Sequence, residues 1–163
     1  LQRNGDRVEA VITAEGDRIA CDAVVLTTEL PLTYELLGRR PRRPLKLRAA
    51  PSAVVMHVGC RAIEPPPAHH TILFGDAWDQ TFTDIIRDGQ LMRDPSLLVT
   101  RPTAGDPSLA PAGRDLLYVL APAPNLDRGR IDWSNTAGPY AQSMLEAAER
   151  RLLPGLRDDA EVL

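Results

Sequence analysis

The stretch from Arg101 to Asp115 carries Pro102, Gly105, Pro107, Pro111 and Gly113 between two short apolar runs. Proline removes a backbone donor and fixes φ, so breakers at this density forbid a helix or ladder strand across the segment. The runs on either side, Leu97 to Thr100 and Leu116 to Ala121, are therefore predicted as separate strands joined by a long turn-rich loop. Loops of such length within a compact domain are often functional.

The same reading extends along the chain. Val8 to Ala14 and Arg18 to Cys21 are β-prone and separated by Glu15-Gly16-Asp17, which predicts a hairpin. Asp22 to Thr28 is continuously apolar at its centre, as expected of a strand covered on both faces. Pro31 opens a short helix, Leu32 to Leu37, that Gly38 stops. Ser52 to Cys60 and His69 to Phe74 read as strands, placed as antiparallel neighbours on either side of the stiff run Pro65-Pro66-Pro67. Trp78, Phe82, Ile85 and Ile86 recur at helical spacing, with Asp76 as the expected cap and Gly89 as the stop. After Pro139, the residues Met144, Leu145, Ala148, Leu152 and Leu153 mark a second amphipathic helix, ended by Pro154-Gly155. The order argues for an α+β fold made of two partial domains, with a boundary near Glu29 to Ala50.

Charge narrows the partners. With 19 basic and 22 acidic residues the formal net charge is -3, so no whole-chain field attracts nucleic acid. The cluster Arg39, Arg40, Arg42, Arg43, Lys46 and Arg48, broken by two prolines, reads as a connector, either simply solvated or touching anionic lipid at a membrane surface. No apolar run is long enough to span a bilayer and no signal pattern opens the chain, so the expected location is cytoplasmic, with at most peripheral membrane contact. Starting at Leu1 without Met, the chain reads as an internal piece of a longer protein.

Self-contained chemistry is scarce. There is no Gly-rich phosphate loop, GxSxG elbow or HExxH, and Cys21 and Cys60 form no CxxC pair and read as buried, reduced thiols. His69 and His70 are adjacent, which on a strand directs them to opposite faces and argues against a shared metal. Asp76, Asp79, Asp84 and Asp88 fit the solvated face of their helix. Asp106, in the long loop, has two readings: an Asx-turn with its own backbone, or a carboxylate facing a cleft.

The segment Thr103-Ala104-Gly105-Asp106-Pro107-Ser108-Leu109-Ala110-Pro111-Ala112-Gly113, followed by Leu117 to Asn125, closely resembles bacterial phytoene desaturases. The resemblance extends through His69 to Ile72, Phe82 to Ile86, Asp94 to Leu97 and Leu153 to Leu156. It implies an FAD-dependent, amine oxidase-like flavoprotein that desaturates an apolar polyene at the membrane by hydride transfer to flavin. On that family's plan, residues 1–38 are part of the FAD domain, 39–50 the connector, and 51–163 part of a substrate domain with a largely antiparallel sheet. The family often has Asn-Ala-Asp where this chain has Thr27-Thr28-Glu29, and Thr28 is the implied cofactor contact. Asp106 is the implied catalytic carboxylate, handling a proton or developing positive charge. The alternatives are a related carotenoid isomerase, an amine or porphyrinogen oxidase, or a non-catalytic lipid-binding module. The oligomeric state is left open.

Overall fold

In the computed structural model, which describes residues 1–42 and 48–162, the chain divides into two compact units, Leu1–Arg48 and Ala49–Leu163. Arg43 and Lys46 of the predicted basic connector lie outside the described residues.

The first unit is a three-stranded antiparallel sheet, β1 (Gln2–Asn4), β2 (Arg7–Ile12) and β3 (Arg18–Ala20), in that order, with helix α1 (Leu30–Leu36). The predicted hairpin is β2–β3, and Gly16 takes the positive φ of +93° that its turn requires. Arg3 ties the sheet to the end of α1 by donating from Nη1 to the Leu37 carbonyl at 3.1 Å. Among the described residues of this unit only Ala10 is a fully buried apolar residue, while Ile12 and Ile19 remain exposed. The expected buried strand at 22–28 does not form: the segment has no ladder partner among the described residues, and Val25 is 88% exposed. A continuous apolar run states that cover is needed on both faces; it cannot supply that cover, and this small sheet offers none.

The second unit is built on a five-stranded sheet in the order β5-β6-β7-β4-β8, comprising β4 (Ser52–Arg61), β5 (His70–Leu73), β6 (Leu97–Thr100), β7 (Arg114–Ala123) and β8 (Glu161–Val162). All its pairings are antiparallel. The expectation that Ser52–Cys60 and His69–Phe74 are neighbours is therefore corrected, because β7 pairs with β4 along its whole length and β6 stands between β7 and β5. Strand lengths explain this order: β4 and β7 are both ten residues long and satisfy each other's ladders, which the four-residue β5 cannot do.

Alternate residues of the central strands, including Met56, Val58, Leu97, Val99, Leu117 and Val119, form one core with Tyr140, Met144, Leu145 and Ala148 of helix α3 (Trp133–Arg151). That helix starts before Pro139 rather than after it. The Asp132 carbonyl accepts from the Asn135 and Thr136 N–H groups, and its carboxylate collects the Ser134 hydroxyl at 2.5 Å and the Asn135 amide at 2.7 Å. These local bonds establish the first turn, and the apolar face beyond Pro139 is anchored in the core, so the helix continues through the proline. A short helix α4 (Leu156–Asp159) follows Gly155, whose φ of +83° turns the chain.

Between β5 and β6 lies α2 (Trp78–Phe82), which continues into a π-helical turn at Thr83–Asp88 and ends at Gly89. A Cβ at Gly89 would approach the Arg128 carbonyl oxygen to 2.5 Å, and its φ is +67°, so glycine is required there on two counts. The cap is not Asp76: the Asp94 carboxylate accepts from the Asp76 N–H at 2.6 Å and the Ala77 N–H at 3.4 Å, and also pairs with Arg151 of α3. Burial of the Asp94 carboxyl works against its charge, but the Asp76 N–H and Arg151 outweigh it and hold its pKa below the usual aspartate value. Asp84 is likewise not on a solvated face, being 4% exposed and bonded to the Gln80 amide at 3.0 Å.

Candidate functional site

The strand period of two sends every second residue of β4 to β7 away from α3, to a second face that, among the described residues, the helical segment Trp78–Asp88 covers only in part. Register orders this open face into rows. His70 pairs with Thr100, Thr100 with Tyr118 and Tyr118 with His57; two residues along, Ile72 pairs with Leu98, Leu98 with Leu120 and Leu120 with Val55. A polar row thus lies beside an apolar row across the same strands.

The apolar row leads into a cleft of about 250 Å³ lined by Ile72, Leu98, Leu120 and Pro122 from the strands and by Trp78, Thr81, Phe82 and Ile86 from the helical segment. Trp78, Phe82 and Ile86 follow a four-residue spacing that keeps them on one face. Phe74, Trp78 and Phe82 form a chain of edge-to-face contacts with centroids 6.0 and 5.9 Å apart. Phe74 is 65% exposed, so this aromatic rim faces outward. Aromatic and branched walls with hardly a polar atom suit an apolar ligand and offer no anchor for a charged one. The segment predicted as an ordinary amphipathic helix thus buries only Ile85 among its large apolar residues and gives its apolar face to the cleft.

The wall is held by specific contacts. Gly75 is needed where the chain leaves β5, since a Cβ there would approach the Asp94 carbonyl oxygen to 2.5 Å, and its N–H donates to the Ser96 hydroxyl at 3.1 Å. Asp94 then fastens the start of α2 to α3.

The proline-rich loop is ordered into two 3-10 turns, Pro102–Ala104 and Pro107–Leu109, around a residue that the sequence reading left unremarked. Asp115 is buried on β7 and accepts from Arg101 Nε at 2.9 Å, the Thr103 hydroxyl at 2.5 Å and the Ile63 N–H at 3.0 Å. Burial opposes its ionisation, but the Thr103 hydroxyl, the Ile63 N–H and Arg101 together prevail and keep the pKa below that of a free aspartate. An aspartate at the start of an apolar strand, with Arg101 and Thr103 at the opposite end of the same loop, was the available signal. The nearby Cys60 thiol is pushed up to about 11, first by burial and then by Asp115. Cys21, in contrast, is only half-buried, and both cysteines are free.

Asp106 caps the second 3-10 turn: its Oδ1 accepts from the Ser108 N–H at 3.0 Å and the Ser108 hydroxyl at 2.6 Å. This is the Asx-turn geometry of the first reading, on an exposed carboxylate whose pKa Ser108 lowers. Asp106 is not among the residues lining the apolar cleft.

Thr28 lies in the first unit, with its Oγ1 2.8 Å from that of Thr33 and its carbonyl accepting from the Thr33 hydroxyl at 3.1 Å. With that hydroxyl already engaged and no Gly-rich phosphate loop in the sequence, the residues present do not by themselves form a dinucleotide site. His69 and His70 do not diverge as expected, because His69 precedes β5 and its ring stands edge-on to that of His70 at 4.2 Å. His70 Nδ1 lies 2.9 Å from the Thr100 hydroxyl. Among the described residues no His, Cys, Asp or Glu group gathers as a metal site, and no helix is long and apolar enough to cross a membrane.

No protein-family model matches the chain. Its sequence is 55% identical over 158 residues to a phytoene dehydrogenase of Streptomyces griseus, covering 96% of this chain and 31% of that protein. A lycopene-forming phytoene desaturase of a Paracoccus species is 36% identical, covering 96% of this chain and 33% of its own length. A zeta-carotene-forming phytoene desaturase of Myxococcus xanthus is 34% identical, with 98% and 31% covered. The chain therefore spans about a third of the length of these curated relatives, and along nearly its whole length it is homologous to the phytoene desaturases.

Proposed function

We propose that this chain is the substrate-binding part of an FAD-dependent carotenoid desaturase acting on a phytoene-like polyene. The observation that carries the proposal is the aromatic-rimmed cleft on the open sheet face, in a chain whose relatives are named for phytoene. An all-hydrocarbon ligand has only dispersion and the hydrophobic effect to hold it, at about 0.8 kcal/mol per buried methylene, and such walls supply that without a polar anchor.

The reaction would remove a hydride and a proton from adjacent carbons of the polyene to leave a double bond, with FAD as hydride acceptor. The cofactor site would lie mainly in parts of a longer protein. Residues 1–38 would contribute a margin of the FAD domain, with Thr28 near the flavin, 39–50 a connector and 51–163 the substrate domain. The separate compactness of the two units supports that division. What this chain's own residues do is hold an apolar chain, exclude water from it and fix its position, a contribution to rate that needs no nucleophile.

For Asp106, which does not line the cleft, the proposed role is electrostatic and acts at a distance. Ser108 donates twice to this carboxylate and keeps it ionised, which favours stabilising positive charge on the polyene over accepting a proton. The exposed arginines of the connector support peripheral contact with a cytoplasmic membrane surface, where the substrate would dissolve.

The decisive experiment is expression of the full-length protein with phytoene in phospholipid vesicles, followed by flavin absorbance of the purified protein and chromatography of the products. A yellow protein that converts phytoene into more conjugated products is expected; a colourless, inactive one rejects the proposal. In the same assay Asp106→Asn is expected to slow desaturation at least tenfold with flavin content unchanged, and an unchanged rate removes Asp106 from the chemistry.

A further inference from the structure

The polar row beside the cleft is not needed for the fold's core and has no part in the function as proposed so far. It consists of His70, Thr100, Tyr118 and His57, one residue from each of four adjacent strands. Its members are organised: His70 Nδ1 is 2.9 Å from the Thr100 hydroxyl, and the His57 and Tyr118 rings meet edge to face at 5.2 Å and 84°. Both histidines are exposed, while Thr100 and Tyr118 are half-buried. One row further along the strands every position is apolar, Ile72, Leu98, Leu120 and Val55. Polarity thus changes completely within two residues on every strand, a step of about 7 Å, along a line about 14 Å wide.

Resting on the reading of this face as a polyene site, we propose that the His70–Thr100–Tyr118–His57 row is a polar stop. It sets how far the hydrocarbon advances along the strands, and so which carbon–carbon bond reaches the reacting position. A hydrocarbon lying over the apolar row releases water from apolar side chains. Advancing over the polar row, it strips water from imidazoles and hydroxyls without offering a hydrogen bond in return, which is unfavourable. Because the row crosses four strands, a chain running along the strand direction meets it at any lateral position. The row is therefore a specificity-determining element that acts through position and leaves the bond-breaking step to other groups.

The test uses the full-length enzyme with phytoene in phosphatidylcholine vesicles, and counts conjugated double bonds in the products by their absorption after chromatography. Two double variants are compared with wild type: His57→Leu with His70→Leu, which makes the ends of the row apolar, and the shape-conserving pair Thr100→Val with Tyr118→Phe. With the stop removed, the ratio of more to less desaturated products is expected to change at least threefold, while flavin content stays at the wild-type level. The affinity for phytoene, read by quenching of the Trp78 fluorescence component defined by difference from Trp78→Phe, is expected to rise about tenfold. Folded, flavin-containing variants with unchanged product ratio and affinity overturn the inference. If the leucine pair fails to fold, the shape-conserving pair decides alone by the same two readouts. Failure of the substrate reading itself is a separate outcome, visible as wild-type enzyme that leaves phytoene unchanged.

Discussion

Along β6 and β7 neighbouring residues of the same chemical kind meet opposite fates. Val99, Leu117 and Val119 are buried against α3, whereas Leu98 and Leu120, one residue away, line a cleft on the other face. Hydrophobicity alone does not distinguish Leu117 from Leu120; the pleat and the side on which α3 docks do. One face spends its apolar surface on the core, and the other keeps it available, in rows, for something else. Sheets of this antiparallel type usually leave the second face to polar residues. An apolar row there is the anomaly that points to binding.

The contrast can be broken most sharply by truncating both leucines. Leu117→Ala removes a fully buried side chain and is expected to lower stability by about 3–4 kcal/mol, whereas Leu120→Ala should cost less than about 1.5 kcal/mol. Urea unfolding followed by near-UV circular dichroism reads both values, and equal losses would mean that the open face is part of the core.

Asp115→Ala tests whether the polar anchor of the long loop belongs with the core side. It leaves Arg101, Thr103 and the Ile63 N–H without their acceptor, and a loss of about 3 kcal/mol is expected from the same unfolding measurement.

The Asp115 contribution also has a pH signature. Since its folded pKa is lowered, the stabilisation is complete at pH values above the unfolded aspartate pKa of about 3.9 and is lost as pH falls through that value toward the folded pKa. Wild-type stability should therefore fall more steeply than that of Asp115→Ala on acidification below about pH 4. Parallel curves would show that other carboxylates dominate.

On the open side, Phe82→Ala should change stability by less than about 1 kcal/mol, because the ring is 56% exposed, while weakening polyene binding about tenfold. A large loss of stability with unchanged binding would reverse the assignment of the two faces. The smallest effect is expected for Asp106→Ala, which loses only the local Ser108 contacts and should leave the unfolding midpoint unmoved.

Much of the fold was legible because its signals are local. Breaker density at 101–115 separates β6 from β7, Gly16 announces the β2–β3 turn, and Gly89 ends the helical segment. Pairing order was not legible, because β4 finds β7 across more than fifty intervening residues and only ladder length distinguishes that partner from β5. The cap on α2 was missed for a similar reason, as Asp76 is local and Asp94 is distant. The apolar residues of the cleft were all visible, but as a helix face and as strand interiors, with nothing to say that part of them would stay open.

Local chemistry, then, is what the sequence by itself determined: which segments extend, which coil, where the chain must turn, and a family likeness carried by the order of those segments. Tertiary structure alone decided which face of each strand became core, that Asp115 rather than Asp106 is the buried carboxylate at the loop, and that a polar row borders an apolar one. The physical reason is that propensity and turn preference are properties of neighbours along the chain. Burial, register and the partners of a carboxylate are properties of neighbours in space, which exist only once the strands have paired.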